Sequence, residues 1–179
     1  MSRFSTVYLL TCAAIGVAGG ILLWGAAGVS TVLFATIPIV SVAVAGLWML
    51  PAFVALRLLE RPLAGVLVGL IAGLVAFPFL PASLWWAFFA ELPFLIVAYR
   101  FWTKGQYYAG GAFVGAIYPV LAAESFNLWT IPLWAQVTMF MLTIASCLGA
   151  AALGIVIGDR LRAAGVARLA RRTPRVAAS

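Results

Sequence analysis

Charge and histidine are what this chain lacks. It has 179 residues, of which four are acidic and none is histidine. Charged residues make up 8% of the sequence and hydrophobic residues 66%, whereas a soluble domain carries about 25% charged residues. The composition therefore excludes a soluble globular domain, and no polar run is long enough to fold separately. Without histidine, a histidine-based catalytic triad, a zinc site of the histidine type and a histidine proton relay are also excluded.

The chain also has only two cysteines and no nucleotide-binding motif. Cys12 and Cys147 both lie in apolar helical segments, where we expect small buried hydrophobic residues rather than a disulfide or a redox pair. The sequence has neither a Walker A motif nor a dinucleotide-binding fingerprint, and no helix face carries paired carboxylates. These absences argue against an enzyme and against a self-powered pump. No cofactor and no bound metal are expected.

Apolar helix is what the chain has in abundance. A bilayer core is crossed by about 20 apolar residues of helix, and glycine and proline divide this chain into six such segments. We therefore predict an all-α integral membrane protein with six transmembrane helices, at residues 6–27, 38–59, 62–80, 83–102, 107–123 and 131–158. Residues 29–37 are expected to form a short loop. Residues 1–160 should form the transmembrane domain and residues 161–179 a basic cytoplasmic tail.

Positive charge falls on one side of this predicted bundle. All 11 basic residues lie before the first helix, at or just after the ends of the second and fourth helices, or after the sixth. The positive-inside rule then places both termini in the cytoplasm, in a multi-pass protein of a bacterial cytoplasmic membrane. The net charge of +7 is explained by topology and by anionic membrane lipid, so no nucleic-acid partner is expected. The apolar run from Thr6 to Trp24 exceeds a signal-peptide core, which favours its retention as the first helix.

The acidic residues divide into two kinds. Glu60 and Asp159 should lie at cytoplasmic helix ends, each paired with the arginine that follows it in the sequence. Glu91 lies nine residues before Arg100, about 13 Å along a helix that rises about 1.5 Å per residue, and hence near the bilayer midplane. A carboxylate at that depth costs about 3 kcal/mol and needs a partner. Either a hydrogen-bonded structural role or a ligand site would meet that need.

Aromatic residues surround Glu91 in the sequence. Pro93 is expected to kink the helix and to free the carbonyl of Phe89, and a carboxylate among aromatic rings suits a cationic or hydrogen-bond-donating heteroaromatic ligand. Two alternatives stay open: tryptophans near helix ends can form an interfacial belt, and an acidic residue at a helix end can simply be solvated. The candidate substrate-binding residues are Glu91, Trp48, Trp86, Tyr118, Glu124 and Asn127.

The first helix carries small residues at four-residue spacing, namely Ala14 with Ala18 and Gly16 with Gly20. Such faces allow a second helix to approach closely. The spacing leaves open whether that second helix belongs to the same chain or to another subunit.

Four stretches resemble a known family. Together with the order of the helices, they are similar to the S components of energy-coupling factor (ECF) vitamin transporters, and more narrowly to the YkoE family, which is associated with thiamin and its hydroxymethylpyrimidine precursor. The stretches are AGLWMLPAFVALRLLERPLAGVLVGLIAGLV at 45–75, FFAELPFL at 88–95, GAIYPV at 115–120 and SCLGAAALGIVIGDRLRAAGVAR at 146–168.

The resemblance implies a subunit that captures a vitamin from outside and works with a T component and two ATP-binding subunits. It assigns Ala14 and Ala18 to contact with the T component and gives Glu91 the acidic position of the family. Members of the family carry acids where this chain has Gly69 and Ala76, which weakens the ligand assignment. The alternative is a structural or assembly membrane protein that packs through its small-residue faces. A secondary transporter would need an ion-coupling site that the sequence does not supply.

Overall fold

The computed structural model describes residues 6–166. Arg3 and most of the predicted basic tail, at 167–179, lie outside the described residues. Between residues 6 and 166 the regular structure is helical throughout. The elements are α1 (Thr6–Thr36), α2 (Pro38–Ser41), a 3-10 segment (Val42–Trp48), α3 (Leu50–Leu59), α4 (Ala64–Val75), a 3-10 turn (Phe77–Phe79), α5 (Leu80–Ile96), α6 (Lys104–Leu121), α7 (Ala123–Phe126) and α8 (Leu133–Ala163).

Four stretches in the described part of the chain are long and apolar enough to cross a membrane: Thr6–Thr36, Pro38–Leu59, Phe77–Ile96 and Leu133–Ala163. The helix at the predicted third position, α4, is apolar but has 12 residues. Helix α6 occupies the predicted fifth position. The all-α membrane fold class is confirmed, whereas the six spans, the domain division and the orientation of the termini stay predictions.

The first helix is longer than predicted. A loop was expected at residues 29–37, and this expectation is wrong because α1 continues to Thr36. Gly25 and Gly28 lie inside the helix, and no atom stands within 4 Å of where a Cβ on either would be. In apolar surroundings the backbone has no water to bond, so a continuous helix is favoured and glycine is well tolerated. The added turns of α1 become part of the cavity wall described below.

The two small-residue faces of α1 have different surroundings. A Cβ on Gly16 would stand 2.6 Å from an α4 side chain, and one on Gly20 would stand 2.5 Å from another. The glycine face therefore packs inside this chain, where the missing side chains let two backbones approach. Ala14 and Ala18 lie on a different side of α1 and are exposed.

An ion-pair network joins the ends of α3 and α8. The Arg57 Nε lies 2.7 Å from Asp159 Oδ1, and Arg162 Nη2 lies 2.9 Å from Glu60 Oε1. Arg162 also donates to the backbone carbonyl of Arg57. The predicted pairing of each acid with the next arginine in the sequence is therefore wrong, because α3 and α8 end side by side and their charged side chains meet across the helices. Cationic groups at these C-terminal ends also complement the helix dipoles.

The end of the bundle that carries Arg57 and Arg162 is called the basic end. Near the start of α1, the guanidinium carbon of Arg61 lies 5.5 Å from the ring centroid of Tyr8. The other described basic residues lie at helix termini or connections here, as the charge pattern predicted: Arg57, Arg100, Lys104, Arg160 and Arg162.

Helix α5 ends earlier than predicted. The chain was expected to stay helical to residue 102, but α5 ends at Ile96. Ala98 and Tyr99 then adopt left-handed backbone angles, with φ of 51° and 57°. The Ala98 N–H donates to the Leu95 carbonyl at 2.9 Å and the Tyr99 N–H to the Phe94 carbonyl at 2.8 Å, which is the Schellman pattern of helix termination. Left-handed angles cost about 1–2 kcal/mol for a residue with a Cβ, so this turn needs support from elsewhere.

Candidate substrate-binding cavity

A cavity of about 390 Å³ lies at the end of the bundle opposite the basic end. Its wall is formed by the last turns of α1, the 3-10 segment, the start of α5, the end of α6 and α7. The lining residues are Ala27, Ser30, Thr31, Phe34, Ser41, Val42, Ala45, Trp48, Phe79, Ala82, Trp86, Tyr118, Ala122, Ser125 and Phe126.

Aromatic rings dominate one wall of the cavity. The rings of Trp86 and Tyr118 lie 4.8 Å apart between centroids, and Trp48 meets Phe79 edge-on at 5.6 Å. Trp86 is only 5% exposed, which does not fit the interfacial-belt alternative for this residue. The structure therefore brings together three of the predicted site residues, Trp48, Trp86 and Tyr118.

The polar groups of the cavity are neutral. The hydroxyls of Thr31 and Ser41 donate to carbonyls of their own helices, at 2.8 and 2.6 Å. Within residues 6–166, the phenol of Tyr118 and the indole N–H groups of Trp48 and Trp86 have no hydrogen-bond partner in the protein. No charged side chain of the described residues lines the cavity. The site offers ring faces and uncharged donors, which suits a planar, polar, uncharged ligand.

The winding of the 3-10 segment aligns part of this wall. Because a 3-10 helix has about three residues per turn, side chains three apart lie above one another. Val42, Ala45 and Trp48 are spaced in this way and all line the cavity. Gly46 lies on the other side, against α8, where a Cβ would overlap the backbone carbonyl of Ser146.

Glu91 is separate from the cavity. It is 2% exposed, and both of its carboxylate oxygens accept hydrogen bonds within the protein. The Val66 N–H donates to Oε2 at 2.8 Å and the Tyr99 hydroxyl donates to Oε1 at 2.9 Å. Helix α4 has no capping side chain of its own at Leu63, and its first N–H groups have no partners inside the helix. Glu91 of α5 therefore caps α4. This geometry matches a hydrogen-bonded structural role for the carboxylate, which was one of the two roles considered from the sequence.

The Phe89 carbonyl that Pro93 was expected to free beside Glu91 does not line the cavity. Helix α5 runs through Pro93 to Ile96, and a Cβ on Gly110 of α6 would stand 3.2 Å from the Pro93 ring. Phe94 is fully buried, whereas Phe88 is 44% exposed. The aromatic residues near Glu91 in the sequence thus face different surroundings.

Glu124 and Asn127 stand next to the cavity without lining it. Glu124 lies in α7 and Asn127 follows it with a left-handed φ of 50°. Both are exposed. Between them, Phe126 meets Phe34 of α1 edge-on, with ring centroids 5.2 Å apart. This contact closes the cavity between α1 and α7.

The two positions at which the family resemblance implies acids, Gly69 and Ala76, are buried here. Ser83 donates to the Gly69 carbonyl at 2.7 Å, and a Cβ on Gly69 would overlap the side chain of Ala87. Ala76 is fully buried. At Gly69, close packing of α4 on α5 thus occupies the space that a carboxylate side chain would fill.

A second, apolar concavity lies on the outer surface where α1, α3 and α8 meet. It measures about 410 Å³, and Ala14 and Ala18 lie along it. The other lining residues are Val7, Leu10, Thr11, Ile15, Leu58, Leu161 and Val166. We call it the alanine groove.

The fold matches that of a known class of membrane protein. A crystal structure described as that of an S-component of an ECF transporter superposes with a TM-score of 0.81, over 93% of this chain and 89% of that chain, at 16% sequence identity. The chain therefore has the S-component fold, and the predicted S-component architecture is confirmed.

The family of the chain follows from its sequence. A family model described as "ABC-type cobalt transport system, permease component" matches residues 7–117, which is more than half of the chain. The chain belongs to this family. It is a multi-pass protein of the cell membrane and a subunit of a transport system, not an enzyme. No curated protein matches it in sequence.

The described lining of the cavity contains no histidine, cysteine, aspartate or glutamate. Divalent cobalt is bound in proteins by imidazole, thiolate and carboxylate groups. The sequence has no histidine, and residues 6–166 contain no group of three or more His, Cys, Asp or Glu side chains that could hold a metal. The hydroxyls and rings of the cavity suit an organic molecule instead.

Proposed function

We propose that this chain is the substrate-capturing S component of an ECF-type ABC importer, and that its cavity binds thiamin, its hydroxymethylpyrimidine precursor or a related heterocyclic nutrient. The observation that carries the proposal is the close pair of Trp86 and Tyr118 in a cavity of about 390 Å³ that Trp48 also lines. The YkoE-like sequence features support the choice of ligand class.

The chemistry of the wall supports a flat heterocycle. Each good aromatic contact contributes about 0.5–1.5 kcal/mol beyond the burial of its area. The Tyr118 hydroxyl and the two indole N–H groups supply donors for ring nitrogens or a hydroxymethyl group. Because the described lining is uncharged, the binding energy comes from stacking, burial and neutral hydrogen bonds.

We further propose that the basic end faces the cytoplasm and that the cavity loads from outside. In this orientation the alanine groove serves as the contact for a T component, which joins the chain to two ATP-binding subunits. Exposed Ala14 and Ala18 would let a partner helix approach closely, as small residues do between membrane helices.

Ligand titration of the purified protein in detergent tests the proposal. Thiamin and hydroxymethylpyrimidine are titrated by calorimetry against wild type, Tyr118→Phe and Trp48→Phe. Loss of one hydrogen bond of about 0.5–1.5 kcal/mol should weaken binding about 2- to 12-fold in each variant.

The matched control is Trp129→Phe. Trp129 is 69% exposed and lies outside the cavity, so its replacement should leave affinity unchanged. Wild-type protein that binds neither compound would contradict the proposal and favour the structural or assembly role. Equal weakening by Trp129→Phe would show that the ligand binds elsewhere.

A further inference from the structure

We propose that Ser146 of α8, which lies outside the cavity, is a positioning residue that holds the 3-10 segment in the winding that places Trp48 in the cavity wall. The effect on ligand binding rests on the function proposed above. The effect on the segment itself does not.

The Ser146 hydroxyl contacts two backbone groups of the segment. It donates to the Ala43 carbonyl at 2.6 Å and accepts from the Gly46 N–H at 2.9 Å. In a 3-10 helix, the N–H of each residue pairs with the carbonyl three residues earlier, which for Gly46 is that of Ala43. One side chain of α8 therefore holds both members of a single 3-10 pair.

The same contacts disfavour the α-helical winding. In an α-helix the Gly46 N–H would bond to the carbonyl of Val42, four residues earlier. The segment has seven residues, whereas 3-10 runs longer than three or four are uncommon. A run of this length needs support from outside the segment, and Ser146 supplies it.

The winding decides where Trp48 lies. A 3-10 helix turns by about 120° per residue and an α-helix by about 100°. Over the six steps from Val42 to Trp48, the change to α-helical winding would move the Trp48 direction by about 120° and shorten the segment by about 3 Å. The Trp48 side chain would then point about 120° away from that of Val42, and the indole would leave the wall it forms with Phe79.

Gly46 completes the arrangement. Because a Cβ on Gly46 would overlap the Ser146 carbonyl, the absent side chain is what lets the segment approach α8 within hydrogen-bond distance of the Ser146 hydroxyl. Serine side chains between apolar helices are known to serve as such polar contacts.

The test compares Ser146→Ala with Ser146→Thr, which keeps the hydroxyl. Two quantities are measured on purified full-length protein: hydrogen exchange of peptides covering residues 42–48, and the affinity for hydroxymethylpyrimidine. We expect Ser146→Ala to change exchange in this segment selectively and to weaken binding by about 2- to 12-fold, the effect of losing one aromatic contact. Ser146→Thr should restore both quantities.

The matched control is Thr138→Ala on the same helix. The Thr138 hydroxyl is exposed and donates to the Trp134 carbonyl of its own helix at 2.8 Å, so its loss should change neither quantity. Unchanged exchange in Ser146→Ala overturns the inference, and changed exchange with unchanged affinity overturns the positioning role. If wild type binds neither hydroxymethylpyrimidine nor thiamin, the proposed function fails, and the exchange result alone decides whether Ser146 holds the segment.

Discussion

Replacing Glu91 should destabilise the fold and leave the cavity unchanged. Its carboxylate accepts the Val66 N–H at 2.8 Å and the Tyr99 hydroxyl at 2.9 Å. The first bond caps α4, and the second holds the left-handed turn after α5. Glu91→Ala removes both acceptors in a place that is 2% exposed, so water cannot replace them.

The magnitude follows from these two losses. Removing a helix cap costs about 0.5–2 kcal/mol, and leaving the part-buried Tyr99 hydroxyl without its acceptor costs up to about 1–3 kcal/mol. Glu91→Ala should therefore lower the free energy of unfolding by about 1.5–5 kcal/mol. At about 2–4 °C per kcal/mol for a chain of this size, the melting temperature should fall by about 3–20 °C.

The assay is thermal unfolding in detergent, followed by a thiol-reactive dye that reports exposure of Cys12 and Cys147, both of which are buried as free thiols. The control is Glu124→Ala, because Glu124 is exposed and its loss should leave the melting temperature unchanged. Ligand affinity is measured below the transition. A normal melting temperature combined with lost ligand binding in Glu91→Ala would refute the reasoning and return Glu91 to the ligand site.

Three further predictions concern packing, backbone strain and charge. Gly46→Ala should lower both the melting temperature and the ligand affinity, because its Cβ would overlap the α8 backbone. The control Gly149→Ala should lower neither quantity in thermal unfolding and calorimetry, because no atom lies within 4 Å of the added Cβ. Ala98→Gly should stabilise the protein by about 1 kcal/mol, since a glycine adopts the φ of 51° without a Cβ clash, and an unchanged or lower melting temperature would contradict this. Hydroxymethylpyrimidine should bind more tightly than thiamin, because the described lining offers no carboxylate to the thiazolium cation; a calorimetric preference for thiamin would show that cation–π contacts outweigh that cost.

The sequence was sufficient to predict the helical segments and the basic end. Apolar runs bounded by glycine and proline mark helices because a lipid-exposed backbone must bond to itself. The burial of both cysteines was predicted from their position in apolar helical segments and is confirmed. The segment boundaries were less accurate. Gly28 was taken as a break but lies inside α1, since a glycine ends a helix only where the surroundings reward another backbone conformation.

The sequence-based depth of Glu91 assumed a helix that continues as far as Arg100, and this assumption about the helix is wrong. The helix ends at Ile96 through two left-handed residues that are not glycine, a turn that local preferences disfavour and tertiary contacts support. One signal was available. Helix α4 begins after Leu63 without a serine, threonine, aspartate or asparagine to cap it, which indicates that its cap comes from elsewhere in the fold.

The 3-10 segment left no signal in the sequence pattern. Its apolar residues fit an α-helix equally well, and the hydroxyl that holds its winding comes from α8, about a hundred residues later in the chain. Such a contact depends on how α3 and α8 pack, and hence only on the tertiary structure.

The most direct test of the central claim is mass spectrometry of small molecules released from the purified protein. We predict that wild type and Trp129→Ala carry one small heteroaromatic compound in near-equimolar amount, and that Trp48→Ala carries much less of it. Protein that releases no such compound, or that instead holds equimolar cobalt, would contradict the account.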